Sequence, residues 1–296
     1  MHVVPAHADD RVVITCAITG GGSRSDGNPN LPYTPEELAR EARRAVDAGA
    51  GIIHVHGRAP DGTPTHDVEH FRALVDAIRS EVPEVALNLS CGGSAGLAER
   101  IRPVEVLRPE LATLSLGCYN YAAFAEGRRS LKTDRAIDST FATMVESLRV
   151  FAASGTAADL ECYEIGHLDN LDVLAELGAD ASHGHLSFVL GVLGCQAADP
   201  RYLTYLQNRL GTGRDWTAIV IDAKQHWPVL SVALGMGGWV RVGFEDCAWL
   251  APDVMATSNG QLVERAVTMA RACGREVMPA KEARELVRVP VPIDAA

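Results

Sequence analysis

No stretch of about 18 uninterrupted apolar residues occurs in this chain, so the sequence offers no membrane-spanning helix. Basic residues are in short supply. Twenty-seven Lys+Arg face 38 Asp+Glu, for a formal net charge of −11. That balance argues against nucleic acid as a partner, because binding a polyanion needs a positive footprint. The first residues, Met1 to Arg11, carry Asp9 and Asp10 and have neither the basic start nor the apolar stretch of a secretory signal. Paired cysteines are also missing. Cys16, Cys91, Cys118, Cys162, Cys195, Cys247 and Cys273 are odd in number, scattered, and form no CxxC. A disulfide framework is not expected; a reducing cytoplasmic setting is, with most of these thiols acting as small core residues. Nucleotide fingerprints are absent too. Gly20-Gly21-Gly22 is neither a GxGxxG nor followed by the Lys-Ser/Thr of a phosphate loop.

What the chain does have is one alternation repeated from end to end. Short apolar runs lie near residues 12–19, 51–56, 85–90, 111–116, 159–163, 185–190, 218–221 and 239–244. Each reads as a strand and is followed by a segment able to form a helix. Thr34-Pro35-Glu36-Glu37 is a capping box with proline at the first helical position, and Gly49 is placed to end that helix. Helical patterns also cover 68–78, 140–153 and 261–272, the last with Ser258 or Asn259 as cap. The segments after the third and seventh runs carry weaker patterns. A long polar insertion around 126–138 separates the fourth run from its helix.

Eight such units in series, with no strong linker between halves, predict a single-domain (β/α)8 TIM barrel rather than an open doubly wound sheet. The domain is expected to span 1–296, with a polar N-terminal extension over 1–10 and a C-terminal tail over 285–296. Chains of this size fold as one barrel.

Alternate strand residues face opposite sides. In the second run, Ile53 and Val55 share one face, and His54 and His56 the other. In the last run, Val240, Val242 and Phe244 oppose Arg241, Gly243 and Glu245, with Asp246 just beyond and the glycine leaving room between the charges. Asn88, Ser90, Thr113, Ser115, Glu161 and Tyr163 supply further polar inward positions. Most fall late in their strands, at the end where barrels of this kind keep their active sites. Two histidines and a carboxylate suit Zn²⁺ with a position open for substrate, which makes His54, His56 and Glu245 a candidate set. Two hydrogen-bonded histidines inside the barrel fit the same spacing. His183 and His185 repeat the pattern at a strand beginning, where a structural role suits His183. Arg241 and Asp246 read either as a buried ion pair or as a polarised carboxylate base; a cation lowers a carboxylate pKa and burial raises it. Ser90 and Thr113 either satisfy backbone groups or hold a substrate carboxylate. Cys91, Cys118 and Cys247 have no nearby activating residue and read as packing groups. Lys224 and His226 could touch an acidic ligand or simply be solvated.

Several blocks occur together in one order: Thr15-Cys16-Ala17-Ile18-Thr19-Gly20, Asn30-Leu31-Pro32-Tyr33-Thr34-Pro35-Glu36-Glu37, His54-Val55-His56-Gly57-Arg58, Ser90-Cys91-Gly92-Gly93 and Val240-Arg241-Val242-Gly243-Phe244-Glu245-Asp246. Over about 12–284 the chain resembles the β-keto acid cleavage enzymes, a family that includes enzymes for 3-keto-5-aminohexanoate. The resemblance implies a Zn²⁺-dependent barrel, a homo-oligomer with a tetramer favoured, and a reaction in which a β-keto acid and acetyl-CoA give acetoacetate and a new CoA ester. It implies His54, His56 and Glu245 as zinc ligands. Ser90 and Thr113, with the Gly92-Gly93 turn, would hold the substrate carboxylate. Arg241 and Asp246, acting with a water, would remove the proton between the carbonyls. Enolate attack on the acetyl group, internal CoA transfer and retro-Claisen cleavage would follow, with no nicotinamide or flavin.

Two positions depart from the aminohexanoate pattern. Gly22 stands where that pattern has a glutamate for the substrate's amino group, so 3-keto-5-aminohexanoate is expected to be a poor substrate. Cys247 stands where it has asparagine. Two other functions share the same residues: a CoA-independent metal-dependent aldolase or hydrolase, and a catalytically silent ligand-binding barrel. CoA dependence separates the first from the leading reading, and turnover separates the second.

Overall fold

The computed structural model describes residues 10–288, apart from 22, 23, 25, 26, 126, 128, 180, 182, 183 and 212. Gly22 and His183, both singled out in the sequence, lie outside the described residues, as do nearly all of the expected N-terminal extension and residues 289–296 of the expected tail.

Eight parallel strands close into a barrel: β1 (Ile14–Ala17), β2 (Ile52–Val55), β3 (Ala86–Leu89), β4 (Leu111–Ser115), β7 (Ala157–Cys162), β8 (His185–Leu190), β9 (Trp216–Val220) and β10 (Trp239–Val242). The closed order is β1-β10-β9-β8-β7-β4-β3-β2, so the first and last strands meet. Every run read as a strand overlaps one of these. The (β/α)8 barrel is therefore the observed fold.

The outer ring is built as the sequence signals predict. In α1 (Pro35–Ala48), Thr34 and Glu37 form the reciprocal capping box, and Gly49 closes the helix at φ 118°. Asp67 caps α2 (Val68–Glu81), Thr140 caps α4 (Phe141–Ser154), and Ser258 caps α8 (Asn259–Ala272). The weaker patterns have physical causes. In α3 (Leu97–Leu107) there is no side-chain cap, and Pro103 sits inside the helix. In α7 (His226–Gly235), Trp227, Val229, Leu230, Ala233 and Leu234 are all buried, so no polar face marks the helical period. The ring is completed by α5 (Asn170–Glu176), α6 (Pro200–Leu210) and α9 (Ala280–Val287). The last of these runs into the expected tail over 285–287, and its buried Ala283 and Val287 join the core. No helix among the described residues is long and apolar enough to cross a membrane.

The polar insertion is an antiparallel hairpin, β5 (Tyr119–Phe124) with β6 (Leu131–Ile137). It lies against the loop after β8 with both faces partly exposed, so its strands lack the buried alternation that would announce them. A second small pair, β11 (Trp249–Ala251) with β12 (Val254–Met255), follows β10.

Register aligns the inner residues. Thr15 lies level with Arg241, Ala17 with His54, and His54 with Asn88. Thr113 lies level with Asp159, Ser115 with Glu161, and Glu161 with Ser187. The apolar outer residues, such as Cys16, Ile53, Leu89 and Val242, pack with the helices in one core. The barrel interior is thus left to polar groups.

Candidate active site

His54 leaves β2 on its inner face and His56 follows the strand end. The residue that meets them is not delivered by simple alternation, because β10 stops at Val242. Gly243 then turns the chain at φ +137°, where an added Cβ would lie 2.2 Å from the Ala17 carbonyl oxygen. The expected role of this glycine, spacing two charges, gives way to a tighter one: backbone passes over backbone. The turn lets the Glu245 N–H donate to Ala17 O at 3.2 Å. Gly20 makes room on the other side, since a Cβ there would meet Glu245 Cγ at 2.5 Å.

The ligating atoms of His54, His56 and Glu245 all lie within 4.8 Å of one another. His54 Nε2 is 3.4 Å from Glu245 Oε2, and His56 Nε2 is 3.4 Å from Oε1. Burial drives the His54 pKa down to about 3, so this imidazole is neutral and its lone pair is available. Glu245 Oε2 is buried without a hydrogen-bond partner. Two imidazoles facing an unsatisfied carboxylate oxygen suit a divalent cation and leave coordination positions open.

Arg241 and Asp246 form a buried fork. Arg241 Nε donates to Asp246 Oδ2 at 2.9 Å, and Nη2 donates to Asp246 Oδ1 at 2.7 Å and to Glu245 Oε1 at 2.8 Å. The balance that spacing left open is now settled differently for each carboxylate. Burial pushes Asp246 up, against the pull of Arg241. Burial also acts on Glu245, but Arg241, His56 and His54 hold it well below the usual range. Arg241 Nη1 is buried with no hydrogen-bond partner; Glu161 Oε1 lies 3.8 Å from it. A cavity of about 270 Å³ opens beside Glu245 and Asp246, lined also by Thr19, Leu31, Trp249 and Met255.

Ser90 and Thr113 stand on neighbouring strand ends. Thr113 Oγ1 accepts from the Cys91 N–H at 3.0 Å, and Ser90 Oγ accepts from the Gly92 N–H at 3.3 Å. Each hydroxyl has thereby used an acceptor site and keeps its own hydrogen to donate. Gly93 continues the turn at φ +139° beside His66.

Three supports carried little sequence signal. Arg58, noticed only as part of its block, is buried and donates to Thr19 Oγ1, Thr19 O, Gly20 O and Gly62 O, fixing the loop under Glu245. Asn259, considered only as a helix cap, accepts from the Phe244 N–H at 2.9 Å and donates to Ile18 O at 3.2 Å, tying the β10 turn to β1. Glu161 is lifted to about 8 by burial, although Arg241 pulls it down. It accepts from Tyr163 Oη at 2.9 Å, and Tyr163 stacks on Tyr119 of the hairpin at 3.8 Å between centroids.

Other candidates fall away. His226 is fully buried with Nδ1 2.7 Å from Val220 O, so it does not face a ligand in solvent. His185 pairs with Thr217 Oγ1 at 2.8 Å inside the barrel. Cys91 is buried and its thiol is pushed up to about 12, as a packing residue requires; Cys118 is exposed, unlike the packing role read for it. Cys247 lines the cavity beside Asp246.

Comparison with known proteins adds a family. Residues 11–289 match the model of the beta-keto acid cleavage enzyme family. A 3-keto-5-aminohexanoate cleavage enzyme of Fusobacterium nucleatum subsp. nucleatum is 37% identical over 280 residues, covering 94% of this chain and 98% of the relative. A 3,5-dioxohexanoate:acetyl-CoA acetone transferase of Paraburkholderia graminis is 31% identical over 298 residues, covering 94% and 96%. Among solved structures, ObcA in its binary complex with oxaloacetate superposes with a TM-score of 0.72 at 18% identity, covering 89% of this chain and 68% of that one, a likeness of fold.

Proposed function

Because the chain belongs to the beta-keto acid cleavage enzyme family, we propose that it is a zinc-dependent enzyme converting a β-keto acid and acetyl-CoA into acetoacetate and a new CoA ester. The observation that carries this reading is the adjacency of two constellations: the His54, His56, Glu245 cluster and the buried Arg241–Asp246 fork, joined through the Arg241–Glu245 hydrogen bond. The relative named as an acetyl-CoA acetone transferase supports acetyl-CoA as co-substrate.

The Ser90 and Thr113 hydroxyls, each with a free hydrogen, donate to the substrate carboxylate together with the Gly92-Gly93 turn. That anchoring places the carbon between the two carbonyls toward Asp246. Asp246 removes its proton, and burial makes this carboxylate a stronger base than an exposed one. Arg241 holds both Asp246 oxygens in place and keeps Nη1 for a water that shares the proton transfer. Zinc held by His54, His56 and Glu245 would polarise the keto oxygen and stabilise the negative charge that develops. The enolate carbon attacks the acetyl carbonyl of acetyl-CoA, CoA passes to the other acyl carbonyl, and retro-Claisen cleavage releases the new CoA ester and the acetoacetate carbanion, which takes back the proton held on Asp246. Holding both substrates in line supplies much of the acceleration. The assembly is read as a homo-oligomer, a tetramer by family resemblance, working in the cytoplasm, which suits seven unpaired cysteines.

The test is mass spectrometry of CoA esters after zinc-loaded protein meets acetyl-CoA and β-keto acids with cationic, neutral and anionic tails. A new ester with matching acetoacetate is expected, and 3-keto-5-aminohexanoate is expected to rank low. Acetyl-CoA left untouched by every acid would sink the reading and favour a CoA-independent metal enzyme.

A further inference from the structure

Three buried polar groups, Ser187, Asp159 and Asn88, form a hydrogen-bonded chain beside His54 of the metal-ligand cluster. Asp159 lies on the inner face of β7 and is almost wholly buried, as is Asn88 on β3. Asp159 Oδ2 accepts from Asn88 Nδ2 at 2.6 Å, and its Oδ1 accepts from Ser187 Oγ at 2.6 Å. Asn88 turns its NH₂ group toward Asp159, as donor to Oδ2. This fixes which way the amide points, a choice that electron-rich ends alone leave ambiguous. Asn88 Oδ1 must then face elsewhere, and it is buried without a partner.

The complementary orphan is next door. His54 is level with Asn88 in the β2–β3 ladder, and its Nδ1 is likewise buried without a partner. Asn88 is near enough to favour a charged imidazole, while burial overrides that influence. The two residues are thus neighbours across the ladder, and no hydrogen bond in the structure satisfies either atom. Two adjacent buried polar atoms of opposite need, each otherwise costly to leave unmade, are a bond waiting for a small rotation.

We infer that Asn88, oriented by Asp159, is a positioning residue for the metal site: its Oδ1 takes the Nδ1 proton of His54 and so reserves the Nε2 lone pair for the ion. The inference rests on His54, His56 and Glu245 holding a metal. Nε2 is already the atom that faces Glu245, at 3.4 Å. A second hydrogen bond at the far nitrogen fixes both tautomer and ring orientation of a ligating histidine. Ser187 completes the chain by anchoring the carboxylate that anchors the amide.

The experiment uses the full chain with ¹⁵N-labelled histidine, read by long-range ¹H–¹⁵N correlation before and after zinc is titrated in, with zinc affinity measured by chelator competition. In the wild type, His54 should carry its proton on Nδ1 in both states, and that proton should exchange slowly once zinc is bound. Asn88→Leu should weaken zinc binding by about 10- to 100-fold and leave His54 in mixed tautomers. Asp159→Asn lets the Asn88 amide flip, and should mix the tautomers with a smaller loss. A His54 protonated on Nε2 in the zinc-free wild type would overturn the inference. So would a folded Asn88→Leu variant that binds zinc within about threefold of wild type. Should that variant not fold, the wild-type spectrum and Asp159→Asn decide. Failure of the metal reading itself looks different: the wild type takes up no zinc while the Nδ1 proton stays in place.

Discussion

At the scale of single residues, the site depends on groups whose roles only packing reveals. Gly243 is the sharpest case. A side chain there is strained at φ +137° and meets the Ala17 carbonyl oxygen at 2.2 Å, backbone that has no easy way to yield. Gly243→Ala should cost about 3 kcal/mol or more in urea unfolding, and should weaken zinc binding because the turn carries Glu245. Glu110 gives a pH-dependent counterpart far from the chemistry. It is buried, accepts from the Leu87 N–H at 2.9 Å and from Arg284 Nε at 2.9 Å, and pairs with Arg79. Burial would raise its pKa, but Leu87, Arg79 and Arg284 together hold it below the ordinary 4.5. A lowered folded pKa means that the unfolded chain binds the proton first as pH falls. The stabilisation is therefore complete above about pH 4.5 and is lost as pH drops through the folded value. Glu110→Gln should cost about 2 kcal/mol at neutral pH. Its deficit against wild type should shrink steadily in urea titrations taken below pH 4.5; a deficit that stays constant in acid would contradict the assignment.

Elements differ in how openly the sequence declares them. Helix α1 is declared by a capping signal whose parts lie within four residues, and the structure shows Glu37 N donating to Thr34 Oγ1 and Thr34 N donating to Glu37 Oε2, both at 3.2 Å. Thr34→Ala should lower stability by about 1 kcal/mol, seen as a shifted urea midpoint with an unchanged slope. Strand β2 was legible for a related reason: with Ile53 outside and His54 inside, a period of two separates oil from chemistry. That same rule brought His54, Arg241, Asn88 and Thr113 to the inner face correctly. It fails for Glu245, because β10 has already ended and the glutamate arrives on a turn. The hairpin of β5 and β6 was illegible, since strands that bury neither face carry no periodic signature. Its importance to the site is tertiary: Tyr119 stacks on Tyr163, which holds Glu161 near Arg241. Arg58 was hidden for another reason. Most of its hydrogen bonds go to backbone carbonyl groups, and backbone partners leave no mark in a sequence.

For the whole molecule, the location of the cluster makes metal binding a matter of barrel closure. His54 and His56 come from β2 and its end, and Glu245 follows β10. The two strands are separated by β1, the strand at which the barrel's first and last strands meet. An ion held there ties the end of β2 to the turn after β10, across the place where the circle closes. A ligand that binds only the folded chain stabilises it by mass action, by about 2.7 kcal/mol when free ligand is 100 times its dissociation constant. In a chain of this length each kcal/mol moves the melting temperature by about 2 °C, so zinc should raise Tm by about 5 °C. Stripping with a chelator should remove that gain, and returning zinc should restore it. His56→Ala should melt at one temperature under both conditions, because a two-ligand remnant holds the ion poorly. The arrangement also predicts where the gain resides. Amide hydrogen exchange should slow on zinc addition in β1, β2 and the turn after β10, and should change least in β8, β7 and β4 on the opposite side of the barrel. Protection spread evenly over all eight strands would mean that the ion stabilises the fold without bracing its point of closure.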